Sequence, residues 1–79
     1  MNTTYPDFTQ GYTLNQIQKL CEKYSVDFAQ PSYDITNEYP EGTIYKQSPA
    51  AGTRVQTGQS LKVYIAENYD EDGTGTGEE

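Results

Sequence analysis

The chain of 79 residues has no histidine, no tryptophan and one cysteine, Cys21. Without histidine it lacks the commonest general base at neutral pH, and no other base–nucleophile pair is spaced for catalysis. An enzyme is therefore not expected. One thiol cannot close an internal disulfide, nor can it build a tetrahedral zinc site alone. No apolar run approaches the ~20 residues that span a bilayer, and no secretory signal is visible. Met1 is read as the start of a fragment cut from a longer parent. Basic residues are scarce as well, five Lys/Arg against twelve Asp/Glu. The imbalance is local. Residues 1–66 carry six acids and five bases, whereas residues 67–79 carry six acids and no base. A near-neutral body with an acidic end cannot neutralise a phosphate backbone, so nucleic acid is not an expected partner.

What is present reads as one small domain. At this size only about 60% of the unfolded surface is buried on folding, so local geometry matters. Tyr5-Pro6-Asp7-Phe8 is an extended entry, because Pro6 biases Tyr5 away from helix. Thr13 and Gln16 form a T-x-x-Q capping box ahead of a helix over 14–24, with Tyr12 and Ile17 placed for a hydrophobic staple. Leu14, Ile17, Leu20, Cys21 and Tyr24 share one helical face. Cys21 on that face is expected to be a buried small hydrophobe. Val26-Asp27-Phe28 reads as a first strand, and the polar residues 31–39 as a loop. Pro40-Glu41-Gly42 is a turn, with Pro second and Gly fourth in a type I arrangement. Residues 43–47 are strand-prone. Ser48–Gly52 and Thr57-Gly58 are further corners. Leu61, Val63 and Ile65 alternate inward against Lys62 and Tyr64 outward.

The expected fold is α+β: one helix packed on a three-stranded sheet, in two layers. The expected core is Phe8, Leu14, Ile17, Leu20, Cys21, Val26, Phe28, Ile44, Val55, Leu61, Val63 and Ile65. Residues 1–3 are expected to be a linker, 4–66 the domain, and 67–79 a disordered, acidic, Gly-rich tail.

Taken in order, Tyr5-Pro6-Asp7-Phe8, Gly11-Tyr12-Thr13-Leu14 and "PEGTIYKQSPAAGTRVQTGQSLKVYIA" resemble a PASTA domain. That module occurs on the extracellular side of bacterial penicillin-binding proteins and Ser/Thr kinases. The pattern P-x-G-T-hydrophobic-x-x-Q-x-P-x-x-G is met by Pro40, Gly42, Thr43, Ile44, Gln47, Pro49 and Gly52. Three positions depart from it. Ile17 replaces a small residue, Tyr5 an apolar one, and Ser25 the glycine after the helix. Ser25 suggests that the helix ends through a side-chain cap instead of a left-handed glycine.

The resemblance implies a non-catalytic, extracytoplasmic module that binds or senses peptidoglycan fragments. Its implied place is the C-terminal PASTA domain of a membrane-anchored bacterial Ser/Thr kinase. The alternatives are a PASTA domain of a penicillin-binding protein, or a spacer that docks neighbouring PASTA domains and takes no small ligand. No cofactor or metal is implied, and no insertion of this segment into a membrane.

Five residues are candidates for ligand binding. Arg54 offers a planar fork for a stem-peptide carboxylate; otherwise it is a solvated surface arginine. Glu41 either meets a stem-peptide amine or simply occupies a turn. Gln47 either meets ligand or hydrogen-bonds backbone to hold its corner. Tyr45 and Tyr64 are expected side by side on the outer sheet face, where they stack on sugars or on a neighbouring domain, or only stiffen the sheet. Tyr33 and Tyr39 either line a groove or are loop residues. "DEDGTG", Asp70–Gly75, places oxygen donors at calcium-loop spacing. It lacks the glutamate at the twelfth position and the flanking helices, so a solvated tail is expected instead.

Overall fold

Thr13 starts the helix as its neighbours predict. Its Oγ1 accepts the Gln16 amide at 3.1 Å, and Gln16 Oε1 accepts the Thr13 amide at 2.9 Å. This closes a capping box on α1 (Leu14–Tyr24). The structure, a computed structural model, describes residues 3–69. After α1 come β1 (Asp27–Phe28), β2 (Ser32–Ile35), β3 (Ile44–Ser48) and β4 (Ser60–Glu67).

The helix ends on a left-handed residue after all. Ser25 has φ 57, and its amide reaches the Cys21 and Glu22 carbonyls. A serine in this region costs about 1–2 kcal/mol relative to right-handed backbone. Long-range bonding holds it there: the Ser25 carbonyl accepts the Gly58 amide at 2.9 Å, and the next amide, Val26, donates to Cys21 O at 2.8 Å. The expected side-chain cap is thus replaced by a backbone one.

β4 is the centre of the sheet. β1 and β2 run parallel to it, and β3 runs antiparallel. Amides of Asp27, Ala29 and Thr36 donate to the carbonyls of Gln59, Leu61 and Glu67. These carbonyls are spaced by even intervals and point to one edge of β4. β3 takes the other edge, where Ala66 N donates to Thr43 O and Gly42 N to Ala66 O. The four strands therefore fill three positions, with β1 and β2 as one path interrupted around Pro31. Proline cannot donate to a ladder, which explains the break. β2 lies inside the segment expected to be loop. Ser32, Tyr33, Asp34 and Ile35 alternate half-buried and exposed, and their pairing comes entirely from β4.

The turn into β3 sits one residue later than the type I reading. Thr43 N donates to Pro40 O at 3.1 Å, so Gly42 is third, not fourth, and has φ +78. Positive φ at the third position is the type II pattern, which selects glycine. A Cβ on Gly42 would meet nothing within 4 Å, so the requirement is the dihedral itself.

The core contains Phe8, Ile17, Cys21, Val26, Ile44, Val55, Leu61, Val63 and Ile65, as expected, together with Tyr5. Leu14, Leu20 and Phe28 are only partly buried against it. Tyr5 is 1% exposed, yet its hydroxyl donates to Gln59 Oε1 at 2.6 Å, so the phenol is buried without losing its hydrogen bond. Phe8 is the hub of an aromatic string, edge-on to Tyr5 at 6.5 Å and to Tyr12 at 5.2 Å. β4 ends at Glu67, and Asn68 and Tyr69 remain tied. Asn68 Nδ2 donates to the Thr36 and Tyr39 carbonyls, and Tyr69 N to Asn37 Oδ1, each at 2.9 Å. The calcium-like "DEDGTG" and the rest of the expected tail beyond Tyr69 lie outside the described residues.

Candidate functional site

Alternation along β4 sends Leu61, Val63 and Ile65 into the core and leaves Lys62 and Tyr64 on the outer face. β3 faces this strand with a register irregularity. Ile44 pairs with Ile65, but Lys46 pairs with Tyr64, so Tyr45 is the extra residue of a bulge. A bulge re-aims a side chain, and here it changes the expected Tyr45–Tyr64 pair. Tyr45 stacks instead on Tyr39, with ring centroids 4.8 Å apart and planes 19° from parallel.

The Tyr45 hydroxyl donates to Asp34 Oδ2 on β2. β3 and β2 lie on opposite edges of β4, so the Tyr45 side chain must cross over β4. In the register the residue beside Asp34 is Ala66, which is 1% exposed although it belongs to the outer face by alternation. A methyl group leaves room for a ring to lie over it. Asp34 also accepts from Ser32 Oγ at 3.1 Å. Its carboxyl is held below the usual range, first by the Tyr45 hydrogen bond. The same bond pushes the Tyr45 phenol up to about 12.

Tyr64 lies beside this stack, with two lysine ammoniums near its ring. Lys46 Nζ is 5.1 Å and Lys62 Nζ 5.3 Å from its ring centroid. Both distances fall within cation–π range. The outer face thus combines a pinned tyrosine pair, a third tyrosine with two ammoniums near its ring, and one carboxylate.

The other candidates sit elsewhere. Gln47 is used inside the fold: Nε2 donates to the Pro6 and Pro49 carbonyls at 3.1 and 3.2 Å, and Oε1 accepts from Phe8 N at 2.8 Å. This is the backbone-holding role read from the sequence. Glu41 Oε1 accepts the Asn68 amide at 2.6 Å and so helps secure the end of β4. Arg54 is exposed and forms a single antiparallel bridge with Thr4. Its guanidinium has no hydrogen-bond or ionic partner among the described residues. Tyr39, which the sequence left undecided, belongs to the platform. A tyrosine just before a Pro-x-Gly turn gave no signal of that role, because its partner is set by the bulge.

Tyr33 does line a groove, of about 340 Å³, between the start of α1 and the β2–β3 end of the sheet. Tyr12, Leu14, Ile44 and Ile65 complete its apolar wall. No charged side chain lines it. Cys21 is buried, and burial pushes its thiol up, so it is unsuited to act as a nucleophile. Among the described residues no cluster of potential metal ligands occurs, and no helix is long and apolar enough to cross a membrane.

One helix on a mixed sheet, with a side-chain platform on the sheet's outer face, defines the chain as a small α+β module. The family model for the PASTA domain matches residues 3–67, and the chain belongs to that family. PASTA domains are non-catalytic binding domains known from kinases and penicillin-binding proteins, where they bind cell-wall peptidoglycan, and they are typically extracellular. No curated protein and no solved structure matches the chain.

Proposed function

We propose that this domain binds peptidoglycan fragments on the outer face of its sheet, as an extracytoplasmic part of a membrane-anchored bacterial Ser/Thr kinase. The observation that carries the reading is the Tyr39–Tyr45 stack, fixed across β4 by the Tyr45–Asp34 hydrogen bond. A ring held in place before ligand arrives loses little freedom on binding. Tyr39 is 39% exposed and offers a ring to the C–H face of a sugar. Asp34 and the lysines at Tyr64 supply the charge that a stem peptide, with its amine and carboxylates, would meet.

The test is titration of the isotope-labelled domain with defined muropeptides. Shifts of Tyr39, Tyr45 and Tyr64 resonances support the reading. Silence at millimolar ligand sinks it, and would leave a spacer role, which sedimentation with an upstream domain would reveal as domain–domain contact.

A further inference from the structure

β3 and β2 flank β4, and the outer edges of these two strands are not equally protected. β3 carries the bulge at Tyr45 and a lysine, Lys46, and Pro49 follows its end. Bulges, lysines and prolines all guard an edge against strand addition. β2 pairs regularly with β4 from Ser32 to Ile35, with no bulge and no lysine, and Pro31 stands only before its start. In a parallel ladder alternate residues turn their backbone to opposite sides. The Thr36 amide donates to Glu67 O, so the same parity sends Ser32 and Asp34 to β4 and turns the backbones of Tyr33 and Ile35 to the open edge. No other element among the described residues hydrogen-bonds those two backbones. Their side chains are 54% and 71% exposed. Both belong to the helix side of the sheet, where Tyr33 lines the apolar groove with Leu14 and Ile65. Free backbone groups beside two bare apolar side chains on one face make a template for another strand.

We propose that β2 accepts a short extended peptide as a further strand, with apolar residues opposite Tyr33 and Ile35 and a basic residue between them, opposite Asp34. Charge selects this occupant. Asp34 is one strand away from the added chain, whereas Lys62 on β4 is two strands away and Lys46 on β3 three. The nearest charge to the central residue is therefore a carboxylate. A second copy of the chain fits less well. Two-fold pairing of β2 with itself is antiparallel, and the register that uses both outward backbones sets Tyr33 against Ile35 of the copy. Asp34 then lies directly opposite its own copy, a destabilising pair of like charges. The net charge of -7 on each chain adds a general repulsion. This edge shares only Asp34 with the Tyr39–Tyr45 platform, and the proposal holds whether or not that platform takes muropeptide.

The test titrates the isotope-labelled domain with the capped peptide acetyl-Thr-Val-Lys-Val-Thr-amide. The Tyr33 and Ile35 amides should shift and gain protection from exchange with solvent. Glutamate in place of the central lysine should weaken binding by roughly two- to fivefold. Methylating both valine nitrogens, which face β2, should abolish binding, whereas methylating the lysine nitrogen, which faces away, should leave it. I35P removes the outward amide and spares the ladder to β4, so it should lose binding. I35T keeps a strand-forming residue and trims the apolar contact, so it should weaken binding in a folded domain. No shift of either amide at millimolar peptide overturns the inference, as does undiminished binding of the doubly methylated peptide or of the glutamate peptide. Sedimentation of the domain alone supplies the remaining outcome: dimerisation that I35T abolishes would assign the edge to a second copy and overturn the peptide reading.

Discussion

Gln47 and Phe8 are 39 residues apart in sequence, yet the Gln47 Oε1 accepts the Phe8 amide at 2.8 Å. With its Nε2 on the Pro6 and Pro49 carbonyls, one side chain holds the N-terminal segment against the end of β3. Gln47→Ala leaves three backbone groups without this partner. The expected cost is about 1–3 kcal/mol, or a fall in Tm of roughly 4–8 °C per kcal/mol for a domain this small. Hydrogen exchange at the Phe8 amide should accelerate in parallel. A variant with unchanged Tm and exchange would show that the contact contributes nothing.

Ser25 occupies a conformation that glycine adopts freely. Ser25→Gly should stabilise the domain by about 0.5–1 kcal/mol, since relief of the left-handed strain exceeds the added freedom of the unfolded chain. Urea denaturation reads the result directly. Loss of stability would mean that the serine side chain holds the helix end after all.

Tyr45→Phe removes the hydroxyl that reaches Asp34. The carboxyl of Asp34 is depressed in the folded protein, so its share of stability is present above the usual aspartate value and is lost as pH falls through the lowered one. Tyr45 is raised from 10.0 to about 12, so its share is complete below pH 10.0 and is lost as pH rises towards 12. The variant should flatten both limbs of the stability profile. In an absorbance titration at about 295 nm it should lose one late-titrating phenol, while Tyr5, raised by burial and then by Cys21, persists. An unchanged count of late phenols would refute the Tyr45–Asp34 pairing.

Ala66 is the small residue that lets Tyr45 cross β4. Ala66→Leu should push the ring off its path. The Asp34 pKa should then return towards 3.8, and ring-current shifts between Tyr39 and Tyr45 should collapse, with overpacking costing about 1–3 kcal/mol. Nuclear magnetic resonance of the Asp34 carboxyl decides the matter. A carboxyl still depressed in a folded variant would place the ring elsewhere.

Tyr39→Ala removes the exposed ring of the stack without touching the core. Muropeptide affinity should fall by about two- to thirteenfold, the value of one aromatic contact, while the lost stack on Tyr45 lowers stability by about 0.5–1.5 kcal/mol, at roughly 4–8 °C in Tm per kcal/mol. Equal affinity by titration calorimetry would argue against stacking on this ring.

The features that could be read along the chain are those that adjacent residues settle among themselves. Thr13 and Gln16 satisfy each other's backbone within one turn, so the helix start was visible. Alternation from Leu61 to Ile65 announced which side chains of β4 go inward, because pleating sends neighbours to opposite faces. Gly42 marked a turn, though its place within the turn depended on which carbonyl Thr43 reached. Of the two readings of Gln47, the corner-holding one was visible in its local bond to the Pro49 carbonyl, but its hold on Pro6 and Phe8 was not. Other features were decided only when distant segments met. Ser32–Ile35 looks polar and loop-like by itself, and becomes a strand because β4 offers it a free edge. Ser25 accepts a left-handed backbone because Gly58, far along the chain, binds its carbonyl. The Tyr39–Tyr45–Asp34 platform depends on a bulge in β3 and on a small residue beneath it in β4. Local rules act through a few neighbouring dihedrals, whereas strand register and ring placement depend on contacts that exist only after the chain has folded back on itself.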